Sequence, residues 1–281
     1  GITDSATVTV GGNLIAITDA SSGVIDLGTL AVDGTIALTT HNNGAATVVN
    51  DAGLNFAAST VGGALSATAT TGNITQSGAL DIEGATTLVT TAQGATIVLG
   101  TGTNAFTGAV TITTNDNDSP TDGTYAAHAT IDGGTTALVI AASTIDGNLT
   151  LTSGHALGIT DSGTVTVGGN LIATTDTNSG VIDLGTLAVD GTMALATNGS
   201  GAATVVNDAG INFASSTVRG NLSATAAAGD ITDTGVLAIT GTSTFTVVGG
   251  QNITLGSNNT FSDTVTFASA GTIASIEVND S

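Results

Sequence analysis

The 281-residue chain contains no cysteine and no lysine, and its only basic side chain is that of Arg219. The lack of cysteine excludes disulfides and thiolate metal ligands. One cation against 22 acidic residues gives a formal net charge of −21. Nucleic acid is thereby excluded as a partner, because phosphate binding requires clustered Lys and Arg. Anionic membrane surfaces are disfavoured for the same reason.

Long apolar runs are also missing, so the sequence predicts no membrane insertion and shows no signal peptide. Aromatic residues make up only 2% of the chain although 41% is hydrophobic, so the apolar content is Val, Ile, Leu and Ala. Proline occurs once, at Pro120, whereas glycine occurs 40 times. β-branched residues set among glycines favour short strands joined by tight turns.

A long internal duplication dominates what is present. Gly1–Ala69 returns at Gly158–Ala226 with about four in five positions identical, which defines a 157-residue offset. We therefore predict a single repeat body over residues 1–281, built from a unit at 1–157 and an incomplete second copy at 158–281. Because the chain starts without an initiator methionine and stops within the second copy, we expect a processed protein or a slice of a longer array.

A shorter repeat lies inside the long one: two strand-like runs flank a glycine turn at steps of roughly 21 to 29 residues. One longer step separates Gly108 from Gly147. Each run alternates apolar and polar residues, which indicates strands with one buried face. Strands at this spacing predict an all-β fold, a right-handed parallel β-helix (β-solenoid) of about eleven to twelve coils.

An antiparallel sandwich array is the alternative fold, and the near absence of hairpin dipeptides disfavours it. For the β-helix, the alternating pattern also predicts which side chains fill the interior. The expected core includes Val8, Val10, Leu14, Leu30, Val32, Leu80, Ile82, Val165, Val167, Leu171, Leu187 and Val189.

Three phrases carry a family resemblance: GNITQSGALDIEGATTLVT at residues 72–90, TNAFTGAVTI at 103–112 and STIDGNLTLTSG at 143–154. They resemble the repeat region of filamentous-haemagglutinin-like exoproteins, large bacterial surface proteins exported by two-partner secretion. The resemblance implies a right-handed parallel β-helix, an extracellular location and a structural or adhesive role. No segment matches the amino-terminal secretion domain of that family, so the resemblance is to the repeat shaft alone.

The long step contains the segment 115–134, which we predict to be an irregular loop or coil and the place for any specific contact. Within it, Asp116, Asp118 and Asp122 form an acidic cluster that suits calcium. The cluster lacks the twelve-residue spacing and terminal Glu of a calcium-binding loop. A solvated acidic loop therefore stands beside calcium as the alternative, and no other cofactor is expected.

No set of residues predicts catalysis. His41, His128 and His155 are far apart in sequence, and Asn198 takes the place of His41 in the second copy. A polysaccharide-cleaving β-helix would use basic residues, but Arg219 is the only cation and Gly62 takes its place in the first copy. We therefore expect no catalytic residues and no enzyme activity.

The recurring Gly-Asn-Leu phrase is interpreted as turn chemistry. Asn tolerates left-handed backbone and forms hydrogen bonds with neighbouring turns of a stack. The phrase places asparagine at Asn13, Asn148, Asn170 and Asn221.

These observations predict a non-enzymatic, extracellular structural protein: the rigid shaft of a bacterial surface adhesin, fibre or sheath. Its expected partner is itself, end to end in a filament or longer array, and then a host or neighbouring cell surface or carbohydrate. A ligand- or carbohydrate-binding adhesin module that uses the segment 115–134 is the first alternative. A β-helical polysaccharide-cleaving enzyme is the second.

Overall fold

The structure, a computed structural model, describes residues 1–19, 21–116 and 126–281. Within these ranges there is no helix, and the strands form two parallel sheets of 16 and 18 strands. The first sheet contains Ile2–Thr3, Val8–Val10, Ile25–Val32, Ala46–Asn50, Leu65–Ala69, Thr86–Gln93, Val110–Asn115, Leu138–Ile140, Ser143–Ile145, Ile159–Asp161, Val165–Val167, Ile182–Val189, Ala203–Asn207, Leu222–Ala226, Ser243–Val247 and Val265–Ser269. The second sheet contains Leu14–Ile17, Ile36–Thr39, Leu54–Phe56, Ser59–Val61, Ile74–Gln76, Leu80–Ile82, Ile97–Leu99, Ala105–Phe106, Ala129–Asp132, Leu149–Ser153, Leu171–Thr175, Thr192–Ala196, Ile211–Phe213, Ser216–Val218, Ile231–Asp233, Leu237–Ile239, Asn252–Phe261 and Ser275–Asp280.

The chain passes from the first sheet to the second and back, and each round trip is one coil. The first sheet has about 13 successive levels, which we number coils 1 to 13 in chain order. The predicted parallel β-solenoid is confirmed, but the predicted count of eleven to twelve coils is too low. Strands of two successive coils, Ala129–Asp132 and Leu138–Ile140, both lie in the long step between Gly108 and Gly147. Counting turn glycines therefore misses one level there.

The interior is the space between the two sheets, filled by alternate residues of every strand. Along Ala46–Asn50, for example, buried residues alternate with half-buried ones, as period-two geometry requires. Near the end of the rod the core contains a cluster of aromatic side chains. Phe245 packs against Phe213, Phe261 and Phe267 at ring-centroid distances of 6.4, 5.9 and 6.1 Å. Of the expected core residues, Val8, Val10 and Leu14 of coil 1 are half-buried and pack on the core, and the others are buried.

The turns are also stacked from coil to coil. The N–H group of Gly34 donates to the carbonyl of Gly12 at 3.1 Å, and a Cβ at Gly34 would lie only 2.4 Å from that oxygen. Glycine is thus required there by the close approach of two backbones. Asn13 Oδ1 accepts the N–H of Thr35 in the next turn at 2.9 Å, which confirms the predicted bonding between turns. The left-handed conformation considered for the asparagines of the Gly-Asn-Leu phrase is not observed, since none of the four has a positive φ angle.

The sheet that has the longer strand segment in each coil changes along the rod, from the first sheet to the second. In coil 2 the first-sheet strand Ile25–Val32 has eight residues, whereas its partner Ala46–Asn50 in coil 3 has five. The buried side-chain amide of Asn50 forms hydrogen bonds with backbone groups that the shorter strand leaves without partners. Its Oδ1 accepts the N–H of Val32 at 2.8 Å, and its Nδ2 donates to the carbonyls of Val32 and Gly53 at 3.0 and 2.7 Å. A side chain thereby replaces the missing length of backbone.

The second sheet lengthens at the same level. The single strand Ile36–Thr39 of coil 2 is followed by the pair Leu54–Phe56 and Ser59–Val61 of coil 3. The hydroxyl of Ser59 accepts the N–H of Leu38 at 3.0 Å and donates to the carbonyl of Ala57 at 2.9 Å. The first sheet thus shortens and the second lengthens between coils 2 and 3, a change that we call the face exchange. The hydrogen bonds of Asn50 and Ser59 permit it.

The second copy repeats the face exchange between coils 9 and 10. Asn207 bonds the N–H and carbonyl of Val189 at 2.8 and 3.1 Å, and Ser216 accepts the N–H of Leu195 at 3.0 Å. The reverse change in the first sheet, between coils 6 and 7, uses Ser143, which accepts the N–H of Ile112 at 3.0 Å. Buried hydroxyl and amide groups thus mark the levels at which the face changes.

Replacement of Asn50 by Ala should destabilise the rod by about 3 kcal/mol, because the N–H and carbonyl of Val32 would stay buried without partners. Chemical denaturation of N50A checks this. Thr47→Ala on the same strand is the matched control and should change stability by no more than about 0.5 kcal/mol, since the Thr47 side chain points outward. Equal effects of the two substitutions would contradict the role given to Asn50.

Candidate functional site

The predicted calcium cluster is only partly described: Asp118 and Asp122 lie outside the described residues. Asp116 is 7% exposed. Its N–H donates to Asp146 Oδ2 at 2.7 Å, and its Oδ2 accepts the N–H of Ala126 at 3.1 Å. The Asp116 carboxylate is thus already engaged by a backbone N–H group of the segment 115–134. Across the described ranges, no group of three or more Asp, Glu or His side chains is placed to hold a metal ion.

The segment 115–134, expected to be irregular, contains a strand of the second sheet. Ala129–Asp132 pairs with Ile97–Leu99 on one side and with Leu149–Ser153 on the other. Asp132 at its end bonds the N–H of Gly134 at 2.8 Å. Burial raises the pKa of Asp132, against the lowering effect of the Gly134 bond, and the nearby Asp176 raises it further.

The histidines do not meet in the described structure. His128 Nδ1 accepts the N–H of Asn148 at 2.8 Å, the same bond between turns that Asn13 makes. His155 Nδ1 accepts the N–H of Leu157, two residues along the chain. His41 lines a broad surface depression with Glu83. The second copy keeps neither of these two groups, because Asn198 and Thr240 stand at the equivalent positions.

Two small cavities, which we call the notches, occur at equivalent places in the two copies. The first has a volume of about 360 Å³ and the second about 250 Å³. All nine lining residues of one correspond to those of the other at the 157-residue offset. The first notch is lined by Val32, Asp33, Gly34, Ala52, Gly53, Leu54, Asn55, Asn73 and Thr75. The second is lined by Val189, Asp190, Gly191, Ala209, Gly210, Ile211, Asn212, Asp230 and Thr232.

The face exchange creates the notches. The first-sheet segment of coil 2 runs to Val32, whereas that of coil 3 ends at Asn50, so the corners of the two coils are out of line. The ladder of turn bonds that links Gly12 to Gly34 consequently stops. Among the described hydrogen bonds, none reaches the carbonyl of Gly34 or of its equivalent Gly191 from the following coil.

One residue that lines each notch has an enclosed, unpaired amide oxygen. Asn55 Oδ1 and Asn212 Oδ1 are buried and have no hydrogen-bond partner in the described structure. Asp33 or Asp190 stands beside them on the wall, and Asp230 replaces Asn73 in the second notch. Asp230 is already engaged, since it accepts the N–H of Asn252 at 2.7 Å. Carboxylate, amide and hydroxyl side chains thus line the notches, so donors as well as acceptors are present, and neither notch is lined by a cation.

Sequence reasoning missed the notches. Asn55 and Asn212 lie in ordinary strand-like sequence. The notch depends on the register between coils, which the sequence of a single coil does not reveal. The only available signal was the identity of residues 50–53 with residues 207–210 in the two copies.

These features define a repeat protein of the parallel β-solenoid class. Residues 43–113 and 200–268 match the model of a family described as repeats of unknown function (DUF5649). The starts of the two matches are related by the same offset as the duplication. No curated protein and no solved structure matches the chain. In the described part of the chain, no helix has the length and apolar character needed to cross a membrane.

Replacement of Asp132 by Asn should raise the melting temperature at pH 7. The folded-state pKa of Asp132 lies above its unfolded value, so the ionised carboxylate opposes folding at pH values above both. This penalty disappears as the pH falls through the folded pKa toward 3.8, the ordinary value. Thermal melts of D132N and the original chain should therefore differ at pH 7 and converge near pH 3.

Asp26→Asn is the control, because Asp26 is exposed on a strand and its replacement removes the same charge. A lower melting temperature for D132N at pH 7 would show that the bond to Gly134 outweighs the cost of burial.

Proposed function

We propose that this chain is a non-enzymatic, extracellular structural protein, the rigid shaft of a bacterial surface adhesin, fibre or sheath. About 13 coils at a rise of roughly 4.8 Å make a rod about 60 Å long. One continuous buried core runs along it, including Ile25 in coil 2 and Leu255 in coil 12. A body of this kind transmits force and sets distance without a catalytic centre. This uninterrupted core is the observation that carries the proposal.

The proposed partner is another such rod, end to end. Coil 1 has nearly the sequence of coil 8, which is covered on both sides by other coils. Val165, Val167 and Leu171 of coil 8 are buried, whereas Val8 and Val10 of coil 1 are half-buried. The outer edge of coil 1 therefore offers the groups that accept a coil in the middle of the rod. Lateral partners of nucleic acid or anionic membrane are opposed by the net charge of −21.

The extracellular location and the adhesin context are proposed from the resemblance to filamentous-haemagglutinin-like repeats. A composition without cysteine and almost without cations accords with a repetitive exported shaft, but it carries less weight than the rod itself. The ligand-binding alternative through residues 115–134 stays a prediction, because residues 117–125 lie outside the described structure and the Asp116 carboxylate is engaged by the N–H of Ala126. No described cluster supports the polysaccharide-cleaving alternative.

Replacement of Ile15 by Pro should block end-to-end association without unfolding the rod. Leu14 and Thr18 donate their N–H groups to coil 2, so by strand alternation the N–H of Ile15 points to the free edge. Proline removes that donor and is tolerated on an edge strand. Sedimentation velocity and electron microscopy should show linear multimers for the original chain at high concentration and single rods for I15P.

The duplication supplies a matched control. Ile172 is the equivalent residue in coil 8, in a strand paired on both sides. Ile172→Pro should lower stability by about 1–3 kcal/mol, because it removes a buried interior bond. If I15P associates as the original chain does, stacking does not use the edge of coil 1. If the original chain stays a single rod at every concentration, the stacking part of the proposal fails and the shaft role remains.

A further inference from the structure

The outward face of the first sheet is the part of this rod that its role as a shaft leaves unexplained. Over coils 3–6, and again over coils 10–13, each first-sheet strand turns two alternate side chains outward, and these side chains form two rows along the rod. We call each pair of rows a ladder. The first ladder consists of Thr47, Val49, Ser66, Thr68, Thr87, Val89, Thr111 and Thr113, and the second of Thr204, Val206, Ser223, Thr225, Thr244, Thr246, Thr266 and Ala268.

The ladders are regular because their strands pair in a constant register. Thr47 lies opposite Ser66, and Ser66 lies opposite Thr87. Thr87 in turn lies opposite Thr111. The second copy repeats this register over four successive coils. One row of each ladder therefore presents a hydroxyl group at every coil, and the other presents mostly β-branched side chains.

The hydroxyl groups of the ladders are free to bond outside the protein. Among the described hydrogen bonds, none involves a hydroxyl of a ladder residue, although every ladder residue is half-buried or exposed. By contrast, the turn residues Thr71 and Thr91 donate their hydroxyls to carbonyls of the preceding coil, at 2.8 Å in each case. The ladder hydroxyls thus keep both their donor and their acceptor capacity for a partner on the solvent side.

The ladders also carry no charge, although the chain has a formal net charge of −21. Asp26 and Asp183 lie in line with the hydroxyl rows, but each occupies the coil before its ladder begins. A neutral face does not select an ionic ligand. The matching partner is therefore uncharged and presents hydrogen-bonding groups in regular rows.

The size of a ladder argues against a second protein as that partner. Four coils at a rise of ~4.8 Å and two rows about 7 Å apart cover no more than a few hundred Å². A stable protein–protein interface buries roughly 800 Å² on each partner. Flat polysaccharide surfaces are disfavoured as well, because no ladder residue offers an aromatic ring to lie on the sugars.

The spacing of the ladders suits ice. Successive side chains of a row repeat every ~4.8 Å, and the two rows lie about 7 Å apart because alternate residues of a strand are separated by two rises of ~3.3 Å. Water oxygens on a prism face of hexagonal ice repeat at similar distances in two perpendicular directions. Since Thr and Val are stiff at χ1, the rows hold this geometry in advance and lose little entropy on binding.

We propose that the two ladders bind ice, with the hydroxyl groups taking positions of water molecules in the lattice and the Thr and Val methyl groups lying in the hollows between them. This activity goes beyond the shaft role and does not depend on stacking, since each rod carries both ladders.

The probe is ice itself, and the measurement is thermal hysteresis, the gap between the melting and freezing temperatures of a crystal held in the protein solution. We expect the original chain to show hysteresis that increases with protein concentration. The chain has no lysine, so one fluorescent dye can be placed on its terminal amine, away from both ladders. The labelled chain should coat the surface of a growing ice crystal.

Thr87→Tyr with Thr244→Tyr places a bulky ring on each ladder and prevents contact with a flat lattice. Hysteresis should be lost, while the unfolding temperature of the protein stays unchanged because both side chains point outward. Thr60→Tyr with Thr217→Tyr is the matched control, since it makes the same change at equivalent exposed strand positions of the second sheet. The control should keep full hysteresis.

The proposal is overturned if the original chain shows neither hysteresis nor a coating on ice, or if T60Y/T217Y loses hysteresis as T87Y/T244Y does. The second result would mean that the ladders are not the binding face. If T87Y/T244Y unfolds, Ser66→Tyr with Ser223→Tyr makes the same test one coil earlier. Loss of hysteresis in a folded S66Y/S223Y supports the proposal, and retained hysteresis overturns it.

Discussion

Hydrogen bonding between successive coils is the constraint on which the rest of this structure depends. Each coil must lie in register with the coils above and below, or its backbone groups are buried without partners. The length of chain in a coil nevertheless varies: first-sheet strands of successive coils begin at Ala46 and Leu65 in one place, but at the more distant Val110 and Leu138 in another. Where the structure describes the connections, the turns absorb this variation outside the core, and the inward side chains stay in stacked rows. Register, not coil length, is what the sequence has to maintain.

The face exchange shows what happens when register cannot be kept by backbone alone. The strand that ends at Val32 is longer than its partner in coil 3, so one N–H and one carbonyl would be left inside the core. An apolar residue at position 50 would bury them without partners, at a cost that packing does not offset. The amide of Asn50 meets both groups and a third, the carbonyl of Gly53. Buried polar residues such as Asn50 thus join coils of different shape by supplying the hydrogen bonds that the backbone lacks.

Much of the fold could be predicted from the sequence because a solenoid is local in its pattern. Alternation such as that of Leu80 and Ile82 shows which side chains point inward, and the 157-residue offset shows that one architecture is used twice. The coil count and the notches could not be predicted in the same way. Ala46–Asn50 reads as one more alternating strand, and only its pairing with Ile25–Val32 reveals that Asn50 completes a neighbour. Information of that kind lies between coils and not within any one of them.

The two copies can be compared around the unpaired amides of Asn55 and Asn212. In the coil that contains Asn55, the second copy replaces Leu54 by Ile211 and Gly62 by Arg219, so that coil tolerates change. Register does not demand an amide at this position either, because Asn212 is flanked by threonines in the adjacent coils, Thr192 and Thr232. A threonine there would leave no buried amide oxygen unsatisfied.

Recurrence in both copies does not by itself distinguish these amides. Thr86 and Ser243, which also correspond at the 157-residue offset, have buried hydroxyls without a described partner. Access does not distinguish them either: the Asn55 and Asn212 side chains are half-buried and line a cavity, but their Oδ1 atoms are as fully enclosed as the hydroxyls of Thr86 and Ser243. An unsatisfied buried oxygen opposes folding by about 1–3 kcal/mol. All four oxygens therefore remain a cost of the core that the repeat carries in both copies, and it is offset by the packing of the coils around them.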